Sequence, residues 1–307
     1  MSMDTPLLLI AWRRPQTLRQ VIDAIRPVAP TRLYVACDGP NPERPGEAEK
    51  VAATRAVIES EIDWPCHIER LYSNVNQGCR LGVSRAISWF FEQVEEGIIL
   101  EDDCLPAQSF FPFCEGLLAR YRTDSRVWQI SGSTFFPDAI SPCIGDYFFS
   151  RYGPIWGWAT WRRAWLKYDS DLIQWPAMSD SALMKNVYQD SIERGKKYEL
   201  GSKLYAHLID TWDYQWGFCK NYNSGLTIIP KSNQIVNIGF SQDATHTLGA
   251  VPNSPDKAIE LTMPICHPQF VNEDMAYSGS YCNRVFHSSF SSRIINKIFM
   301  KSKKFFK

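Results

Sequence analysis

The sequence predicts an α/β fold, a mostly parallel central sheet flanked by helices. Three observations predict it. Strand-like and helix-like periods alternate three times within the first hundred residues, the pattern of successive βαβ units. Apolar strand-like runs suit a sheet covered on both faces. Charged and polar residues follow those runs directly, at the carboxyl ends where such sheets carry their sites.

Residues 6–12 (PLLLIAW) read as a short buried strand. "RPQTLRQVIDAIRPV" follows, with apolar residues at 18, 21, 22 and 25, a helical period. A second strand covers 32–37 and stops at the turn signal Asp38-Gly39-Pro40. An amphipathic helix over 46–62, an alternating strand over 66–73, a helix over 81–94 and a strand over 97–100 complete the series. The strand ends carry Arg13 and Arg14, Asp38, Asn74 and Asn76, and Glu101 to Asp103. Beyond these, a helix is expected over 109–122 and a strand over 126–132. Residues 133–180, rich in Trp, Pro and Gly, read as long ordered loops, and 181–200 as a polar helix. The runs 225–230 and 233–239 read as an antiparallel pair, and the chain past 241 as polar and turn-rich. One domain over 1–290 is expected, with a βαβ half over 1–132, a decorated half over 133–290, and a basic tail over 291–307.

Composition narrows the function. The 307 residues are 45% apolar, enough for a sizeable core. Lys plus Arg and Asp plus Glu are both 33, a balance that argues against a general nucleic-acid binder. Aromatics make up 13%, and flat rings suit sugar faces as well as cores. The nine cysteines are odd in number and form no CxxC pair, which points to buried thiols and a reducing, cytoplasmic setting. The opening residues do not read as a secretory signal, and no apolar run reaches 18 residues. The tail "SSRIINKIFMKSKKFFK" (291–307) mixes apolar and basic residues. It suits either a basic amphipathic helix on an anionic membrane face or a solvated end.

The stretch "GIILEDDCLP" (97–106) carries the chemistry. Three consecutive acids close an apolar strand, where like charges repel and unpaired burial is costly. A hard divalent cation resolves this. Mg²⁺ or Mn²⁺ commonly takes one or two carboxylates together with substrate phosphates. Asp103 is the expected ligand. Strand alternation places Glu101 on its side and Asp102 opposite. A solvated acidic turn is the alternative.

Residues 97–132 also resemble the central segment of the N-acetylglucosaminyltransferase I family: an apolar strand, Glu-Asp-Asp, a Phe-rich helix and a Trp-containing strand. Further segments agree in order from about residue 6 to 247. "LLLIAWRRPQTL" is similar to that family's first strand and "YVACDG" to its second. "GPIWGWATWRRAW" (153–165) resembles its Pro-Gly-x-Gly-Trp loop. "WDYQWGF" (212–218), "IIPKSNQIVNIGF" (228–240) and "ATHT" (244–247) resemble its later motifs. The match over 41–80 is poor. There "NVNQGCRLG" is similar instead to bacterial sugar transferases of the same fold.

The resemblance implies a glycosyltransferase A fold and a metal-dependent, inverting transfer from a nucleotide sugar, expected to be UDP-linked, to a saccharide or lipid-linked acceptor. It implies that Arg14 and Asp38, with Asp102, bind the nucleotide. Asp103, Glu101 and His246 would hold Mn²⁺ or Mg²⁺. Trp156, Gly157, Trp158 and Trp161 would line the donor and acceptor side, and Asp213 would be the base. Asp210, three residues earlier and expected on the same helical face, is the alternative base. Two rival functions compete. A nucleotidyltransferase should carry a Gly-rich basic loop after the first strand, and "AWRRPQTL" has no glycine. A non-catalytic sugar-binding scaffold would keep the aromatics without a metal. The segment "GCRLG" fits neither a Walker nor a Rossmann phosphate loop.

Overall fold

The computed structural model describes residues 2–142, 145–239 and 255–287. His246 and the tail 291–307 lie outside the described residues. The chain runs β1 (Leu7–Ala11), α1 (Pro15–Ile25), β2 (Arg32–Cys37), α2 (Glu47–Glu61), β3 (His67–Tyr72), α3 (Gly78–Gln93) and β4 (Glu96–Glu101). It continues through β5 (Cys104–Pro106), α4 (Phe110–Arg120), β6 (Val127–Ser131), β7 (Tyr147–Ser150) and β8 (Trp158–Trp161). There follow α5 (Arg162–Trp165), α6 (Trp175–Met178), α7 (Ser181–Val187), α8 (Ser191–Tyr205), α9 (Asp213–Tyr222), β9 (Leu226–Pro230), β10 (Ile235–Asn237) and α10 (Met275–Cys282).

The main sheet has eight strands in the order β3-β2-β1-β4-β8-β6-β9-β7. Strands β3, β2, β1 and β4 are mutually parallel, and β6 and β9 pair in parallel. The antiparallel β8 sits between β4 and β6, and β7 closes the far edge antiparallel to β9. The central strands β1 and β4 are apolar along nearly their whole length because helices cover both faces. On one face Leu18, Val21 and Ile22 of α1, Val57 and Ile58 of α2, and Phe110 to Leu118 of α4 pack against the sheet. On the other lie Ile87 and Phe90 of α3, Trp165 of α5 and Trp216 of α9. The expected helix-flanked α/β sheet is thus the observed one, and α1 starts as its sequence suggests, with Pro15 in the first turn where a missing N–H costs nothing.

Three expectations of the second half are corrected. Residues 133–180 hold β7, β8, α5 and α6 as well as loops. These elements are four residues each, too short for a visible period. Residues 225–230 and 233–239 do not pair with each other. Strand β9 enters the main sheet, while β10 pairs antiparallel with β5 in a small second sheet. Residues past 255 include α10, whose buried Tyr277 packs on Phe148 of β7. Among the described residues eight cysteines are free, and no helix is long and apolar enough to cross a membrane.

Candidate functional site

Because β1, β2 and β4 run parallel, their last residues meet at one edge. Ile10 is in register with Glu101, and Ala11 with Cys37. The segments just beyond are therefore neighbours: Trp12 to Arg14, Asp38, and Glu101 to Asp103. Strand β8 runs the other way, so its first residue, Trp158, and the preceding Gly157 lie at this same edge. Helix α9 leads into β9, which runs parallel to β6, and that path places its N-terminal Asp213 there too.

At this edge the chain turns at residues 102–103 before β5 begins. The turn breaks the strand alternation the sequence suggested, so Asp102 and Asp103 do not point to opposite sides. Both bind Arg14. Arg14 Nη1 donates to Asp103 Oδ2 at 2.7 Å, and Nη2 donates to Asp102 Oδ1. Asp102 also accepts from the backbone N–H of Trp12 at 3.0 Å. With both oxygens bonded and 2% exposure, Asp102 has no face for a nucleotide. Its expected role is corrected to that of a strap between β1 and β4. Arg14 likewise turns both arms of its fork to the acids. Burial works against its charge, but Asp102 and Asp103 outweigh that and raise its pKa.

Glu101 is pushed up to about 8, first by burial and then by the charge of Asp103, against the pull of Arg14. Asp102 and Asp213 push in the same direction, so Asp213 belongs to the same electrostatic neighbourhood. Asp213 opens α9, where the helix dipole favours an anion, and its Oδ1 accepts from the Thr211 hydroxyl. Three carboxyl groups thus act on Arg14, and Asp213 acts on one of them, Glu101. That excess of negative charge and oxygen donors is the chemistry a hard divalent ion requires, and Glu101 and Asp103 fit it. The chain also closes tightly over Asp103. Ile238 N–H donates to the Asp103 carbonyl at 2.8 Å, and a Cβ on Gly239 would stand 2.2 Å from Asp103 Oδ2. Only a glycine passes so near.

Asp38 accepts from the N–H groups of Gly39 at 2.8 Å and Gln77 at 3.0 Å, and from Asn76 Nδ2 at 3.0 Å. Burial raises its pKa, and the backbone bonds from Gln77 and Gly39 oppose the rise. It ties the end of β2 to the entry of α3. Asp210 lies before α9, not on it. Its two oxygens accept from Cys79 N–H and Arg80 N–H, each at 2.9 Å, in the first turn of α3. This correction removes Asp210 as an alternative base, since its carboxylate is already an anion cap.

The tryptophans divide. Trp158 and Trp161 are each 1% exposed. Trp158 stacks on Trp212 at 5.7 Å, and Trp161 Nε1 donates to the Leu118 carbonyl at 3.2 Å. Both are core residues, so their expected place in a sugar-facing wall is corrected. Trp156 is partly exposed and packs edge-on to Phe135. Gly157 adopts φ +57°, and a Cβ there would meet Ile235 at 2.4 Å, so the loop needs glycine on both counts. One contributor has no sequence signal. Lys197, within a stretch read only as polar helix, is near enough to Asp213 to feel its charge.

No family model matches the chain, and no curated protein matches it. Among solved structures it is similar to HddC from Yersinia pseudotuberculosis, at 7% identity and TM-score 0.31, over 52% of this chain and 77% of that one. It is also similar to 4-diphosphocytidyl-2C-methyl-D-erythritol synthase from Anaerococcus prevotii, at 10% identity and TM-score 0.31, over 66% and 84%. A third is glucosyl-3-phosphoglycerate synthase from M. tuberculosis, at 12% identity and TM-score 0.29, over 52% and 58%. The likeness is too slight to extend their activities to this chain.

Proposed function

We propose that the protein is a metal-dependent, inverting glycosyltransferase of the glycosyltransferase A type. It would move a sugar from a nucleotide donor, UDP-linked in this reading, to a saccharide or lipid-linked acceptor. The observation that carries the proposal is the cluster of Glu101, Asp102 and Asp103 on Arg14, with Asp213 acting on Glu101, at the carboxyl edge of parallel strands. Such a charge excess suits a site completed by a cation and a diphosphate.

In this reading Asp103 and Glu101 hold Mn²⁺ or Mg²⁺, with His246 as a further ligand outside the described residues. A divalent ion bound there supplies Lewis-acid stabilisation of the departing diphosphate. Arg14 is a positioning residue that fixes the carboxylates through its fork. Asp38 holds the Asn76–Gln77 turn that walls the base. Asp213 removes the acceptor hydroxyl proton as attack on the anomeric carbon proceeds, and Trp156 and Gly157 border the acceptor. A nucleotidyltransferase uses a related charge arrangement. The glycine-free segment after β1 disfavours it.

Thermal-shift screening of UDP-, GDP- and dTDP-sugars with and without Mn²⁺ tests the reading, since ligand bound to the native state raises apparent stability. A metal-dependent shift with one donor, lost in Asp103→Ala, is expected. Asp213→Asn should keep that shift while transfer falls by about 10²–10⁴. No shift with any donor, or formation of a nucleotide sugar from a sugar phosphate and a nucleoside triphosphate, would overturn it.

A further inference from the structure

A second group of metal-type donors gathers where the end of α10 and residues 283–287 meet the start of α8. Asp190, Cys282 and His287 place one donor atom each within 4.8 Å of one another. His287 Nε2 lies 3.0 Å from Asp190 Oδ1. Asp190 Oδ1 also caps α8, accepting from Ile192 N–H at 2.9 Å and Glu193 N–H at 2.8 Å, so Oδ2 is the oxygen left over. Cys282 Sγ lies 3.8 Å from Glu193 Oε2.

Glu193 lies against the Cys282 thiol. It is 2% exposed, and its Oε2 accepts from the Tyr152 hydroxyl at 3.0 Å. Its other oxygen, Oε1, is buried with no hydrogen-bond donor. Burial raises the pKa of Glu193, and the charges of Lys197 and Arg151 oppose that rise. The thiol beside it is disfavoured as an anion, chiefly by burial and then by Glu193 and Asp190. A carboxylate, a thiol and an imidazole therefore share a small volume, with the Glu193 carboxylate beside the thiol.

We propose that Asp190, Cys282 and His287 bind one Zn²⁺-class ion that clamps the end of α10 and residues 283–287 to the start of α8. Three protein donors and one water complete a tetrahedral site. Bonds of about 2.0–2.3 Å set donors roughly 3.3–3.8 Å apart, so small side-chain rotations close the present spacing. The sulfur and imidazole donors select a borderline metal over Mg²⁺, unlike the oxygen-only acids at 101–103. On binding, the Cys282 S–H bond breaks, the sulfur lone pair joins the metal, and the proton leaves to solvent.

Titration of the full chain with Co²⁺ tests this. The expected result is a thiolate-to-cobalt charge-transfer band that saturates at one ion per chain, with about one proton released, and that Zn²⁺ abolishes by displacement. The band should vanish in Cys282→Ser and need at least tenfold more Co²⁺ in His287→Ala. It should persist in Asp103→Ala, which separates this site from the acids of β4. His287 is partly exposed, so its variant keeps the test valid if Cys282→Ser fails to fold. No band, a band that survives Cys282→Ser, or a titration unaltered by His287→Ala would overturn the proposal.

Discussion

Arg14 at the end of β1 grips Asp103 beyond the end of β4, Nη1 to Oδ2 at 2.7 Å, while its second arm holds Asp102. One planar fork thus bonds two buried acids just past the end of a neighbouring strand. Arg14→Ala leaves both without their cation, and breaking buried pairs of this kind costs about 3–5 kcal/mol. Arg14→Lys keeps the charge but offers a point in place of a fork, so it should recover less than half of the loss. Urea denaturation of the three proteins, read as ΔG in water, checks both expectations.

The raised pKa of Glu101 gives a pH signature. Its folded value of about 8 lies above the ordinary glutamate value, so the native state holds a proton that the unfolded chain gives up. Stability from this group is full at low pH and is lost as pH rises toward 8. Glu101→Gln removes the loss. In the absence of metal at pH 8 the variant should be more stable by on the order of 1–3 kcal/mol, and equal to the parent near pH 4.5. Under the proposed function the same variant loses Mn²⁺-dependent donor binding. In the parent, Mn²⁺ affinity should rise with pH from 6 to 8 because the ion displaces a proton. Thermal unfolding against pH, with and without Mn²⁺, reads all three.

How much of this was legible in the sequence depends on the range of the interaction. Runs such as Leu7–Ala11 and Arg32–Cys37 announce themselves because a strand buried on both faces must be apolar along its length. The acids at 101–103 were legible because three like charges on an apolar strand demand compensation. The partner they take was not: Arg14 lies 89 residues from Asp103, and only the parallel register of β1 and β4 brings them together. Asp210 misled for a related reason. Its spacing from Asp213 suits a helix, but its carboxylate caps α3, 130 residues back in the chain. Trp158 and Trp161 misled because a Trp–Gly-rich segment looks the same whether its rings face a sugar or a core.

That last distinction is measurable. Trp158 is sealed among Trp165, Trp212 and Trp216, so Trp158→Ala opens a large cavity and should destabilise the fold by about 3–5 kcal/mol. Trp156 touches Phe135 and is partly exposed, so Trp156→Ala should cost about 1 kcal/mol or less. If Trp156 borders the acceptor as proposed, its variant should raise the acceptor KM with little change in the donor-induced thermal shift. Equilibrium unfolding together with acceptor saturation curves distinguishes a core ring from a substrate-facing one.

Lys220 of α9 sits deep in the second half, 2% exposed, donating to Gln129 Oε1 at 3.3 Å and to the Thr227 hydroxyl. Burial pulls its pKa down to about 7, with Lys197 adding to the fall and Glu273 opposing it. The unfolded chain keeps its lysine charged to far higher pH, so between pH 7 and 10 the unfolded state binds the extra proton. Stability therefore rises with pH across that window and is lost as pH falls through 7. Lys220→Met removes the buried charge, and Gln129 Oε1 keeps its bond from Trp216 Nε1 at 3.0 Å. The variant should be more stable than the parent at pH 6, with the difference shrinking steadily by pH 9. Paired denaturation curves at four pH values measure that slope, and a difference that stays flat with pH would mean the amine is charged in the folded chain throughout.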